Sequence, residues 1–171
     1  MLDRSIPLKA HAHRLDDIFT AIRIAREFNV RLTLEHCTEG GLAAEELAAE
    51  GIPICAGPFF SAPHKEELSS KHPSLTARLI QAGCHVCVMT DFPVVSEEYL
   101  AASAGLLIRE GIDAFEALKT VTVNAAEHLG VADRMGTIEA GKDADLVITR
   151  GSVLDLAVRP ESVLINGRRV V

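Results

Sequence analysis

Short apolar segments that end on a histidine or an aspartate place the strongest constraint on how this chain folds. Segment 86–93 is apolar until it reaches Thr90-Asp91 and then Pro93, and proline cannot donate to a sheet ladder. Segments 7–13 and 30–36 are also short, and each ends on a histidine. Because such runs are typical of buried strands, the three segments predict a metal site at one end of a parallel sheet.

Helical periodicity separates these predicted strands. Residues 14–28 repeat apolar side chains at spacings of three and four, with charged residues on the other face. The alternation of strand and helix patterns predicts an α/β fold with a parallel sheet. The other predicted elements are helices 42–50, 74–82 (capped by Ser74), 97–110, 113–120 (capped by Asp113) and 124–129, strands 52–56 and 84 or 85 to 90, and the irregular loop 57–73.

Composition excludes several classes of function. The chain has 171 residues, of which 48% are hydrophobic, and no apolar run approaches the roughly 20 residues of a membrane helix. A net charge of -7, one Tyr and no Trp argue against nucleic acid as a partner. Residues 1–6 show no apolar signal-peptide region, and the four cysteines show no secreted disulfide pattern. We therefore expect a cytoplasmic protein with no membrane partner.

The pattern changes after Gly130. Segment 136–148 predicts a turn, a short strand, a second turn and a second strand. Segment 163–171 predicts a hairpin, because Asn166-Gly167 lies between two apolar runs and Asn-Gly favours a two-residue turn. The sequence therefore predicts a unit at 1–130 and a small β appendage at 131–171.

Several motifs together resemble the C-terminal half of the metal-dependent amidohydrolase superfamily, and in particular its imidazolonepropionase-like and prolidase-like members. The most specific is the block Gly-x-Ile-Glu-x-Gly-Lys-x-Ala-Asp-Leu at 136–146. The resemblance implies half of a (β/α)₈ barrel, strands five to eight, over 1–130, and part of a composite β-sandwich domain over 131–171. The other motifs that carry it are His11-Ala12-His13, Glu35-His36, Thr90-Asp91, segment 124–130 and the terminal Asn166-Gly167-Arg168.

The resemblance also implies a chemistry. His11 and His36 are expected to bind a divalent metal, zinc by preference, and Asp91 to touch the metal and take a proton from its bound water. Asp91 can then give that proton to the leaving nitrogen. The expected function is hydrolysis of an amide, dipeptide or cyclic imine C–N bond in a small molecule.

Two assignments near this site stay open in the sequence. His13 lies two residues after His11 and so on the same face of an extended strand, which leaves either histidine as the ligand and the other as a substrate-facing or supporting residue. Phe59 and Phe60 follow the third predicted strand and are expected to face the substrate, because loops after barrel strands set specificity.

The sequence also departs from the family pattern. The usual His-x-His pair of the first barrel strand and the lysine of the fourth have no counterpart in this chain. Half a barrel would leave two sheet edges unpaired, so we expect self-association or a separate N-terminal half. The alternative function is a catalytically silent barrel fragment or assembly module.

Other histidines and cysteines have simpler interpretations. His64 and His72 fall in the irregular loop and are expected to be solvated. Cys84 and Cys87 are three apart in a predicted strand, so they face opposite sides and are expected to pack as small buried side chains, as is Cys37.

Overall fold

A four-stranded parallel sheet organises the fold of the chain, whose computed structural model describes residues 3–171. The strands follow one another across the sheet in sequence order, and each is connected to the next through helical segments. This confirms the predicted α/β class. The strands are β1 (Leu8–Ala12), β2 (Leu32–His36), β3 (Ile54–Ala56) and β4 (Val86–Val88).

Six α-helices and three short 3₁₀ turns accompany the sheet in residues 3–171. The helices predicted from 42 and from 97 begin as 3₁₀ turns and become α-helical two to three residues later. The helices are α1 (Leu15–Glu27), α2 (Ala44–Glu50), α3 (Pro73–Gln81), α4 (Leu100–Arg109), α5 (Ala114–Lys119) and α6 (Val123–Leu129), and the 3₁₀ turns are Gly40–Ala43, Glu66–Leu68 and Glu97–Tyr99.

Two local predictions need correction. Ser74 does not cap α3; the cap is His72, whose Nδ1 accepts the Ser74 backbone N–H at 3.2 Å while Pro73 occupies the first helical position. The fourth strand ends at Val88 rather than at Thr90, because the chain then turns through Asp91, where φ is +54°.

The strand register divides the sheet into two faces. Leu34, Ile54 and Val86 are paired across β2, β3 and β4 and lie in the core with α1, α2 and α3. The neighbouring row, Glu35, Cys55 and Cys87, is paired in the same way. Because side chains alternate along a strand, this second row lies on the opposite face of the sheet.

Helix α6 closes part of that opposite face at the amino ends of the strands. Asn124 Nδ2 donates to the Val86 carbonyl at 2.8 Å, and His85 Nε2 lies 2.6 Å from Glu127 Oε2. These contacts hold His128, a later residue of the same helix, in a buried position beside the sheet.

A second, antiparallel sheet forms the C-terminal part of the chain. It contains β5 (Leu146–Ile148), β6 (Ser162–Ile165) and β7 (Arg168–Arg169). The predicted Asn-Gly hairpin is confirmed, since Asn166 and Gly167 have φ of +49° and +72° between β6 and β7. The first strand predicted within 136–148 is wrong, because the segment before β5 forms turns and leaves Ile138 89% exposed.

Within residues 3–171, no helix combines the length and the apolar character needed to cross a bilayer. Among the same residues, β1 and β4 each pair with a single neighbouring strand. The β4 edge is partly occupied, because Val88 N–H donates to the Thr120 carbonyl at 3.1 Å.

The cap of α5 gives a direct test of this fold. The Asp113 carboxylate accepts the backbone N–H groups of Phe115 and Glu116 at 2.8 and 3.4 Å. Asp113→Ala is expected to lower the free energy of unfolding by about 1 kcal/mol in urea titrations followed by circular dichroism. Asp133→Ala, at an exposed turn aspartate, is the matched control and is expected to change it by less than about 0.5 kcal/mol. Equal losses in the two variants would refute the cap.

Candidate active site

Three histidines meet at the carboxyl ends of β1 and β2. His11 lies on β1, His13 directly follows that strand, and His36 is the last residue of β2. One ligand nitrogen from each lies within 4.8 Å of the other two. The adjacent strand ends therefore gather three imidazoles at one position, as expected where parallel strands end together.

The backbone at His36 turns its ring toward this cluster. By strict alternation His36 would share the helix-packed face of Leu34, but its φ of +70° breaks that alternation. Its Nδ1–H donates to the Gly57 carbonyl at 2.8 Å, and its Nε2 lies 3.1 Å from His11 Nδ1. Because a neutral imidazole carries one proton, donation from Nδ1 leaves a lone pair on Nε2, directed at His11.

Burial favours the neutral form of two imidazoles of this cluster, those of His13 and His36. It lowers the pKa of His13 to about 4, with added repulsion from His36 and His11. It also lowers the pKa of His36, although the hydrogen bond to Gly57 and the nearby Asp91 carboxylate oppose that shift. His13 Nδ1 is held 2.8 Å from Thr38 Oγ1. Neutral imidazole is the form that binds a metal cation.

Asp91 reaches the same end of the sheet from β4. It follows that strand in a left-handed conformation, and its carboxylate is close enough to His36 to influence the pKa of that imidazole. The ligand atoms that lie within 4.8 Å of one another come from His11, His13 and His36, and the Asp91 carboxylate is outside this group. The structure thus gathers the three histidines closely and sets Asp91 beside them.

The two phenylalanines have different surroundings. Phe59 is partly buried and packs against the hydrophobic core. Phe60 is 46% exposed, and its ring centroid lies 5.7 Å from that of Tyr99. Of the two, Phe60 has the position from which a side chain could contact a small molecule.

A charged network next to the histidines was not predicted from the sequence. Lys9 Nζ lies 3.3 Å from Glu35 Oε1 and 2.9 Å from His128 Nε2, and His128 Nε2 lies 3.0 Å from the same Glu35 oxygen. Lys9 lies two residues before His11 on β1, and a lysine on that face is costly to bury unless it is paired, which is the signal the sequence offers for such a network. Its partner His128 lies 119 residues away along the chain, so local patterns could not identify it.

A parallel sheet with ionisable side chains at the carboxyl ends of its strands is the arrangement in which α/β enzymes place their active sites. The model of the amidohydrolase family matches residues 3–170. The chain therefore belongs to the amidohydrolase family, a family of hydrolases, which confirms the resemblance seen in the sequence.

Individual relatives agree with this membership. A crystal structure of an amidohydrolase from Thermotoga maritima MSB8 superposes with a TM-score of 0.94 at 41% identity, covering 99% of this chain and 44% of that one. Imidazolonepropionase of Paracidovorax citrulli is 31% identical over 150 residues, which are 84% of this chain and 34% of that protein. A zinc-bound adenosine deaminase from Xanthomonas campestris shares the fold, with a TM-score of 0.68 at 22% identity over 96% of this chain and 45% of that one. The chain thus spans less than half the length of each of these relatives.

The half-buried carboxylate of Glu35 predicts a specific acid sensitivity. Burial alone would raise the pKa of Glu35, but the hydrogen bond and charge of His128, with Thr33 and Lys9, lower it from 4.5 to about 2. A carboxylate with a lowered pKa contributes stability above its unfolded pKa and loses it as pH falls toward the folded value. Between pH 4.5 and 2, the free energy of unfolding of the unmodified chain is expected to fall more than that of Glu35→Gln. The difference between the two losses is on the order of 2 kcal/mol.

Urea unfolding at a series of pH values measures this difference. Glu46→Gln, an exposed residue of α2, serves as the control and is expected to keep the acid sensitivity of the unmodified chain. If Glu35→Gln shows the same loss of stability on acidification as the unmodified chain, the Glu35 network does not hold the ionised form.

Proposed function

We propose that this chain is the C-terminal half of a metal-dependent hydrolase that cleaves an amide, dipeptide or cyclic imine C–N bond in a small molecule. In this proposal, residues 1–130 supply strands five to eight of a (β/α)₈ barrel, and residues 131–171 belong to a composite β-sandwich domain. The observation that carries it is the convergence of His11, His13 and His36 at the carboxyl end of a parallel sheet.

The donor set fits a divalent cation. The Nε2 lone pair of His36 is directed at His11 because Gly57 fixes the opposite ring nitrogen, and such a hydrogen bond to the outer nitrogen is typical of metal-binding histidines. Imidazole nitrogens with a nearby carboxylate are ligands that zinc accepts. In the proposal His11 and His36 are ligands, and His13, tied to Thr38, is either a third ligand or a residue facing the substrate.

The residues of this chain divide the chemistry between binding and proton transfer. A divalent cation bound by the histidines would supply Lewis acidity and lower the pKa of water. Asp91, beside His36 and partly exposed, holds the proton taken from that water on a carboxylate oxygen and delivers it to the leaving nitrogen. Phe60, exposed near the same end of the sheet, offers an apolar surface to the substrate.

The proposal also requires a second half of the barrel. The chain covers 44% of the Thermotoga maritima structure, and β1 and β4 each have one strand neighbour among residues 3–171. Unpaired strand edges favour pairing with further strands. We propose that another polypeptide segment, or a second copy of this chain, pairs with these edges and completes the ligand set.

Metal binding is tested by zinc titration of the purified chain. His36→Ala removes the imidazole that Gly57 orients and is expected to weaken binding at this site by more than about 10-fold. His64→Ala, at an exposed loop histidine, is the control and is expected to bind zinc as the unmodified chain does. Unchanged zinc affinity in His36→Ala at every site on the chain would refute the ligand assignment.

Catalysis is tested after mixing the chain with the first half of the Thermotoga maritima relative and screening N-acyl amino acids, dipeptides and cyclic imines. Asp91→Asn is expected to lower the hydrolysis rate by roughly 10²- to 10⁴-fold without changing zinc affinity to the same extent, because the amide cannot accept the proton. Full activity in Asp91→Asn would contradict the proton-transfer role. An assembled, metal-loaded complex that is inactive on every substrate would favour the silent assembly module.

A further inference from the structure

A second group of metal-binding side chains lies away from the three histidines. The sulfur atoms of Cys55 and Cys87 and one ring nitrogen of His128 lie within 4.8 Å of one another. All three side chains are buried, and both cysteines carry free thiols. The sequence predicted that Cys87 packs as a small buried side chain and gave no signal for Cys55, but the structure places both beside a histidine.

The secondary structure fixes this arrangement. Cys55 and Cys87 are direct register partners on β3 and β4, so both side chains leave the same face of the sheet. His128 reaches them from α6, which is anchored by Asn124 on the Val86 carbonyl. The two thiols and the imidazole thus come from three separate elements that are each held by backbone pairing or a hydrogen bond.

One nitrogen of His128 makes no well-formed hydrogen bond. Nδ1 is buried and has no hydrogen bond of standard geometry among the residues that the structure describes, although the Cys87 thiol is close enough to raise the pKa of the imidazole. Nε2, in contrast, lies within hydrogen-bond distance of Glu35 and Lys9. Since buried polar atoms in proteins are nearly always satisfied, Nδ1 is the ring nitrogen left to bind a ligand.

We propose that Cys55, Cys87 and His128 bind a zinc ion at a site separate from the three-histidine cluster. Two thiolates and an imidazole are a soft donor set that selects zinc over magnesium or calcium. Zinc–sulfur bonds of about 2.3 Å in a tetrahedral site separate two sulfurs by about 3.8 Å. The ligand atoms are already within 4.8 Å of one another, so small side-chain rotations suffice.

The three side chains of this cluster influence one another electrostatically. The Cys55 thiol and the His128 imidazole lower the pKa of Cys87, although burial opposes this shift. Burial alone would lower the pKa of His128, but Cys87 and Glu35 raise it to about 9.

Glu35 has a supporting role in this site. With Nδ1 bound to zinc, the remaining proton of His128 is on Nε2, 3.0 Å from Glu35 Oε1. A carboxylate that accepts the outer N–H of a ligating histidine fixes its orientation and strengthens binding. The ion would link β3, β4 and α6, and so stabilise the face of the sheet that α6 covers.

Cobalt substitution tests this proposal because only thiolate ligands give an intense near-ultraviolet sulfur-to-cobalt charge-transfer band. The metal-free, reduced chain titrated with Co²⁺ is expected to develop this band and to lose it when Zn²⁺ is added. Cys55→Ser and Cys87→Ser are each expected to abolish the band, and His128→Gln to weaken cobalt binding. Cys84→Ser changes a cysteine that precedes β4 and packs against the hydrophobic core; it is the matched control and is expected to keep the band.

A double variant, His11→Ala with His36→Ala, separates this site from the proposed catalytic one. It is expected to retain the band, even where zinc binding at the three-histidine cluster is lost. Cobalt binding without the band in the unmodified chain, or a band that survives in Cys55→Ser, would overturn the proposal. So would quantitative disulfide formation between Cys55 and Cys87 in the purified chain with no metal uptake after reduction. If circular dichroism shows that a serine variant does not fold, the proposal is judged by the cobalt spectrum of the His11→Ala, His36→Ala double variant. Absence of the band in that folded variant would refute the site.

Discussion

The parallel register of β2, β3 and β4 is the constraint on which the rest of the structure depends. It aligns Leu34, Ile54 and Val86 on one face and Glu35, Cys55 and Cys87 on the other. The first face buries its apolar side chains against the helices, and the second collects groups that ionise. A shift of the register by one residue would exchange the two faces. Burial of the apolar row therefore also fixes the position of Glu35, Cys55 and Cys87.

The charged network on the second face joins β1, β2 and α6. Glu35, Lys9 and His128 each lie within hydrogen-bond distance of the other two. Glu35 is half-buried and His128 is buried, so removing either one leaves the other with a desolvated polar group that has lost a hydrogen bond. The network therefore favours one placement of α6 on the sheet, because only that placement brings His128 to Lys9 and Glu35.

Local sequence patterns predicted the features that depend on near neighbours. The α5 cap at Asp113 and the Asn166-Gly167 hairpin follow from side-chain to backbone bonding within a few residues, and both are present. The β-strand predicted around Ile138 is absent, because that segment found no strand partner and an isolated strand does not satisfy its backbone.

Long-range contacts set the limit of prediction at the candidate site. The strand ends at His11 and His36 were visible as patterns, but the turn that directs His36 toward His11 depends on its φ of +70° and on the Gly57 carbonyl. His128 and Glu35 are 93 residues apart along the chain, and the local patterns of a single sequence cannot predict a contact over that separation. The family motifs therefore pointed to the imidazoles and overlooked the thiols.

Donor chemistry distinguishes the two clusters on this chain. His11, His13 and His36 offer imidazole nitrogens at the open ends of the strands, next to a partly exposed carboxylate, which suits an ion that must also accept water or substrate. Cys55, Cys87 and His128 offer two buried thiols and a buried imidazole under a helix, which suits an ion shielded from solvent and bound mainly through sulfur. If each cluster binds an ion, the buried one would hold β3, β4 and α6 together. The edge of β1 and the exposed site would then be presented on a sheet already held in its final register.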